Sequence, residues 1–103
     1  MKLIYSHKAA KALNDIYKFL NKKNSHAAVI IHNEILDEID RLLLFPQIGP
    51  IEPELENISF TYRSLVVRYT YKVIYRIEKQ TIYIVDIWDC RCNPLKLQKG
   101  ISE

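Results

Sequence analysis

Between Phe45 and Pro53 the chain reads FPQIGPIEP, which gathers three of its four prolines and one of its two glycines. Proline lacks an amide hydrogen and collides with the preceding helical turn, so no helix crosses this stretch. Before it, apolar residues recur at helical spacing; after it, β-branched and aromatic residues come in short runs. A chain divided in this way is α+β, with helices segregated to one face of an antiparallel sheet.

In the first half, Lys2 to Tyr5 form a short apolar strand, and Ser6 is placed to cap the helix that follows. Ala9, Leu13, Ile16 and Leu20 make one helical stripe, widened by Ala12 and Phe19. Asn24 and Ser25 interrupt it and start a second helix, expected over Ser25 to Leu44, with Ile31, Ile35, Ile39 and Leu42 on one face. So short a connection makes the two helices an antiparallel hairpin. In the second half, the runs Phe60 to Val67, Tyr69 to Ile77 and Thr81 to Trp88 are separated by turns, which gives a meander of three strands with the N-terminal strand as a fourth.

Length and composition fit one domain over residues 1–103. With 49% hydrophobic and 26% charged residues the chain lies outside the disordered class. No apolar run approaches the roughly 20 residues of a membrane span, and MKLIYSHKAA lacks the apolar core of a secretory signal, so a cytoplasmic protein with no membrane partner is expected. Cys90 and Cys92 are one residue apart, poor spacing for a relaxed disulfide and half of a zinc site. His7, His26 and His32 are scattered, so no metal and no cofactor is expected.

The net charge of +3 is less informative than its distribution. Lys8, Lys11, Lys18, Lys22 and Lys23 face one acid, Asp15, in the first helix, whereas Glu34, Asp37, Glu38 and Asp40 face Arg41 in the second. From Phe60 to Ile77 stand four cations, Arg63, Arg68, Lys72 and Arg76, and no carboxylate. Strand alternation puts Tyr71, Val73, Tyr75 and Ile77 on the core face and Lys72, Ile74 and Arg76 on the other. In the last strand Ile82, Ile84, Asp86 and Trp88 alternate with Tyr83, Val85 and Ile87, and Asp86 is expected to face outward and pair with Lys72 or Arg76. Trp88 is either core or an interface anchor.

The order of these features resembles the RelE/ParE superfamily of toxins from type II toxin–antitoxin systems. The resemblance rests on Phe45-Pro46 with Gly49, on Tyr62-Arg63, on Tyr71-Lys72-Val73-Ile74-Tyr75-Arg76, and on the strand Ile82 to Trp88 followed by Asp89-Cys90-Arg91-Cys92-Asn93-Pro94. It implies a growth-inhibiting toxin neutralised by a cognate antitoxin in a hetero-oligomer. It further implies one of two targets: the ribosome, where RelE-type toxins cut mRNA without a metal, or DNA gyrase, which ParE-type toxins poison. An inactive homologue kept as a binding module is the remaining class.

Cutting RNA without a metal needs cations at the phosphate and a proton donor for the leaving oxygen. If the chain is a ribonuclease, the resemblance places Arg63, Lys72 and Arg91 in the catalytic positions. The position two after Arg63, basic in ribonuclease members, is Leu65, and the tyrosine expected after the last arginine is missing from Asn93 to Gln98. Asp89 is the carboxylate nearest Arg91, and a carboxyl of pKa about 4 is a weak acid at neutrality. The long helices and the Arg-x-Asn-Pro ending are closer to ParE than to RelE, so a non-enzymatic gyrase toxin is the favoured expectation. Arg63, Lys72, Arg76, Trp88, Asp89 and Arg91 are then contacts to target or antitoxin, and the lysines of the first helix call for an acidic, amphipathic antitoxin.

Overall fold

The computed structural model describes residues 1–55 and 60–90. Strand β1 (Lys2–Tyr5) leads into helices α1 (His7–Lys23) and α2 (Ser25–Asp40), and β2 (Arg63–Val67), β3 (Tyr71–Glu78) and β4 (Thr81–Asp89) follow. The sheet order is β1-β4-β3-β2, with β1 parallel to β4 and the other neighbours antiparallel. This is the expected α+β architecture, except that the N-terminal strand joins the last strand of the meander in parallel and makes the sheet mixed rather than antiparallel.

Local capping explains the helix boundaries. The Ser6 hydroxyl accepts from the Ala9 amide at 2.9 Å and donates to the Val85 carbonyl at 2.6 Å, so one side chain starts α1 and fixes it to β4. The Asn24 amide donates to the Leu20 carbonyl while its side chain accepts from the Ala27 amide at 3.1 Å, closing α1 and opening α2. The second helix ends at Asp40, not Leu44: Arg41–Leu43 tighten into a 3-10 turn. The prolines beyond do not permit the α-helical ladder to continue. Strand β2 starts at Arg63 rather than Phe60, because Ile51 bridges to Arg63, and the Glu52 amide donates to the Tyr62 carbonyl, holding the incoming chain against this edge.

The main core lies between helices and sheet: Ala9 and Leu13 of α1, Ile35 and Ile39 of α2, and Val67, Tyr71, Val73, Tyr75, Ile82, Ile84 and Ile87 of the strands. Leu55, Tyr62, Ile74, Val85 and Trp88 form a second cluster on the opposite face. Strict alternation does not produce this division in β4. Tyr75 pairs with Ile84 but Ile74 pairs with Asp86, so Val85 is an extra residue, a β-bulge. Ile84 therefore faces the helices rather than outward. Beyond the bulge parity is reversed, sending Ile87 to the helix side and Trp88 to the second cluster, opposite to the simple alternation.

The proline-rich loop is held by the last ring of the β3 core stripe. The Tyr75 hydroxyl donates to the Pro46 carbonyl at 2.8 Å and accepts from the Gly49 amide at 3.0 Å. A Cβ at Gly49 would stand 2.4 Å from the Ser64 carbonyl oxygen and 2.8 Å from the Tyr75 hydroxyl, so only glycine fits. Tyr75→Phe should lower unfolding stability by about 2 kcal/mol, since it strips two buried backbone groups of their partner. Gly49→Ala should cost at least as much, because the clash is with backbone. Urea midpoints within error of the wild type for both would refute this role for the loop.

Candidate functional site

Residues paired across strands share a face, so the register decides which cations meet. Arg63 pairs with Tyr75, and its strand neighbours of the same parity, Leu65 and Val67, pack against the main core. Arg63 thus lies on the helix side, where its guanidinium donates to the Gly49 carbonyl at 2.9 Å. Lys72 pairs with Val66 and lies on the opposite face. The two cations that the sequence assigns to one site are separated by the sheet itself.

Lys72 is also committed. Its ammonium sits 3.0 Å from each oxygen of Glu52, a carboxylate only 1% exposed. Burial alone would raise the Glu52 pKa, but hydrogen bonds from Ser64, Lys72 and the Glu54 amide outweigh it and leave the group below the usual glutamate value. No pattern in the chain marks Glu52 and Ser64 as buried polar partners, because Glu52 comes from an irregular loop between two prolines.

Arg76, on the same face as Lys72, lies between two rings. Its guanidinium carbon is 4.3 Å from the centroids of both Phe60 and Tyr83, and Glu78 takes one of its nitrogens. With 12% of its side chain exposed, Arg76 is a stacking element of the sheet, not an open cation. Trp88 is 3% exposed and donates its indole hydrogen to Asp86 at 3.1 Å. It belongs to the second cluster and is not presented as an interface anchor.

Asp86 is buried rather than outward, and its partners are not those expected: the Ile87 amide at 2.8 Å, Trp88, and the Lys8 ammonium at 3.9 Å. Burial pushes its pKa up, against the opposing effect of these three groups. Asp89 closes β4 half-buried, in register with Tyr71 and engaged with its surroundings. Arg91 and Cys92 lie outside the described residues, and Cys90 is exposed. Among the described residues no group of three or more His, Cys, Asp or Glu converges as a metal would require.

The open apolar surface lies elsewhere. Leu44, Phe45, Ile48 and Ile51 are all more than 40% exposed on the loop that Tyr75 and Arg63 hold in place. On the hairpin, Phe19 and Val29 are exposed, and the Lys23 ammonium lies 4.7 Å from the Phe19 ring centroid.

The model of the ParE toxin of the type II toxin–antitoxin system parDE matches residues 3–94, and the chain belongs to this family. Among solved structures, a chain of the chromosomal ParDE TA system from P. aeruginosa is similar, with a TM-score of 0.72 at 22% identity over 86% of this chain and 95% of that one. No curated protein matches the sequence at a significant level.

The two buried carboxylates have opposite acid responses. Glu52, with its pKa lowered, contributes stability that is present above the ordinary glutamate value of 4.5 and is lost as the pH falls through the folded value. Asp86, with its pKa raised, works the other way, disfavouring the fold as the pH rises above 3.8. Glu52→Gln should therefore cost about 2 kcal/mol at pH 7, the low side for a broken buried pair because Lys72 reaches some solvent. The gap from wild type should narrow as the pH falls below 4.5 through the lowered folded value. Chemical denaturation across that range checks it, and a pH-independent gap would remove the ion pair as its cause.

Proposed function

We propose that this ParE-family chain is a growth-inhibiting toxin that acts by binding DNA gyrase, is held inactive by a cognate antitoxin, and does no ribonuclease chemistry. The observation that supports this most is the separation of the cations. Metal-independent RNA cleavage concentrates positive charge on one phosphate, and here Arg63 serves the proline-rich loop on one face, Lys72 serves buried Glu52 on the other, and Arg76 is enclosed by Phe60 and Tyr83. Leu65, in place of a basic residue, packs into the main core. Asp86, the carboxyl with a raised pKa, is enclosed beside Trp88 rather than aimed at an open surface.

In this reading Arg63, Lys72, Arg76, Trp88 and Asp89 maintain the sheet, and Arg91 is the residue that contacts the target. The antitoxin is an acidic, amphipathic chain in a hetero-oligomer with the toxin. Its apolar face meets Phe19 and Val29 and its carboxylates meet the α1 lysines, inside the cytoplasm where gyrase works.

Purified toxin should block gyrase supercoiling and leave RNA intact, and induction without antitoxin should trigger DNA-damage signalling. Codon-proximal mRNA breaks with normal supercoiling would overturn the reading in favour of a ribonuclease, and normal growth would overturn it in favour of an inert binding module. Arg91→Ala should weaken gyrase inhibition about tenfold, the equivalent of one interfacial contact, with antitoxin affinity unchanged. Antitoxin association should slow as salt rises from about 0.05 to 0.5 M.

A further inference from the structure

The proline-rich segment carries an apolar surface that the fold itself does not use. From Leu42 to Ile51 the chain reads LLLFPQIGPI, without a single charge. Leu42 is buried and Gly49 packs against Tyr75, but Leu44 is 76% exposed, Phe45 56%, Ile51 53%, Ile48 44% and Leu43 42%. Leu44, Phe45 and Ile48 meet with Pro46 and Gln47 around an open hollow of about 440 Å³, so they form one patch rather than scattered exposures. Leu43 and Ile51 flank it along the chain.

The patch is presented ready-made. Tyr75 holds Pro46 and Gly49 through its hydroxyl, and Arg63 donates to the Gly49 carbonyl, so ordering the loop is not a cost met on binding. Taking about 200 Å² for a large side chain in the open, the exposed fractions of the five apolar residues amount to roughly 500 Å². That is near the upper end of what a monomer leaves uncovered in one patch. Two such patches face to face bury about 1,000 Å², the lower limit for a specific interface.

Charge decides which occupant fits. The α1 lysines attract an acidic chain and repel their own copy, whereas this segment offers an acidic chain nothing to pair with. The charged residues that bound it are engaged, Arg41 with Glu38 and Glu52 with Lys72. A second copy, itself carrying a net charge of +3, can meet the first at this segment without bringing like charges into contact. Gln47, exposed within the patch, has both an amide donor and a carbonyl acceptor, so it can satisfy its own image across a two-fold axis. We propose that two copies of this chain associate through Leu44, Phe45, Gln47 and Ile48 in a two-fold dimer. The affinity is modest, as the area requires, and the proposal does not depend on whether the toxin's target is gyrase.

Sedimentation of the full chain, freed of antitoxin, should show a monomer–dimer equilibrium with a dissociation constant between about 1 and 100 µM. Leu44→Glu should raise that constant by about tenfold or more, because it buries a charge in the contact, while the melting temperature stays that of the wild type. Val66→Glu places the same charge at an exposed apolar site outside the patch and should leave the constant unchanged. In a chain with Cys90→Ser and Cys92→Ser, Gln47→Cys should form an interchain disulfide about fivefold faster than Lys22→Cys on the exposed side of α1. A chain still monomeric at about 200 µM, as it would be if the patch is covered by other residues of the same chain or by the antitoxin alone, overturns the proposal. So does a dimer that Leu44→Glu leaves intact, or a Gln47→Cys rate no higher than that of Lys22→Cys.

Discussion

The Tyr75 hydroxyl joins the two halves of this molecule. Its ring is fully buried between helices and sheet, and its oxygen satisfies backbone groups of Pro46 and Gly49 in the segment that leads from the helical hairpin to the strands. That segment cannot form a helix, and where it passes buried at Gly49 it would otherwise leave polar backbone unpaired. Held by Tyr75 and Arg63, it sets where residues 50–52 meet β2, and so where Glu52 enters to neutralise Lys72. Exposed apolar side chains of the same loop are consequently carried on a fixed support.

Much of the fold was legible because periodicity reports burial directly. The stripe Ala9, Leu13, Ile16 and the set Ile31, Ile35, Ile39 required a hairpin with one buried face, and Tyr71, Val73 and Tyr75 required a strand over it. What failed was local. The Val85 bulge has no composition signature, since Ile84 and Val85 are both β-branched and suit either face, and one extra residue exchanges the faces of Ile87 and Trp88. The early end of α2 was concealed by Leu42 to Leu44, which continue a helical pattern that the following prolines do not allow.

The candidate site was legible as a list of residues but not as a place. Arg63, Lys72 and Arg76 are conspicuous in a stretch without carboxylates, yet their partners come from elsewhere: Gly49 and Glu52 from the loop, Phe60 and Tyr83 from flanking segments. Charge counted along a strand says nothing about a counter-charge brought in from 20 residues away. Strand register then decided the matter by placing Arg63 and Lys72 on opposite faces.

The parallel pairing of β1 with β4 joins the first strand to the last, and the Ser6 hydroxyl bond to Val85 spans 79 positions. Contacts of such sequence separation form late, after the loop between them has closed. A ribosome making this chain holds β1 and the finished helical hairpin without the strand they need until β4 has emerged. The sheet is therefore completed only once β4 is free to pair, after every other described strand and both helices have been made.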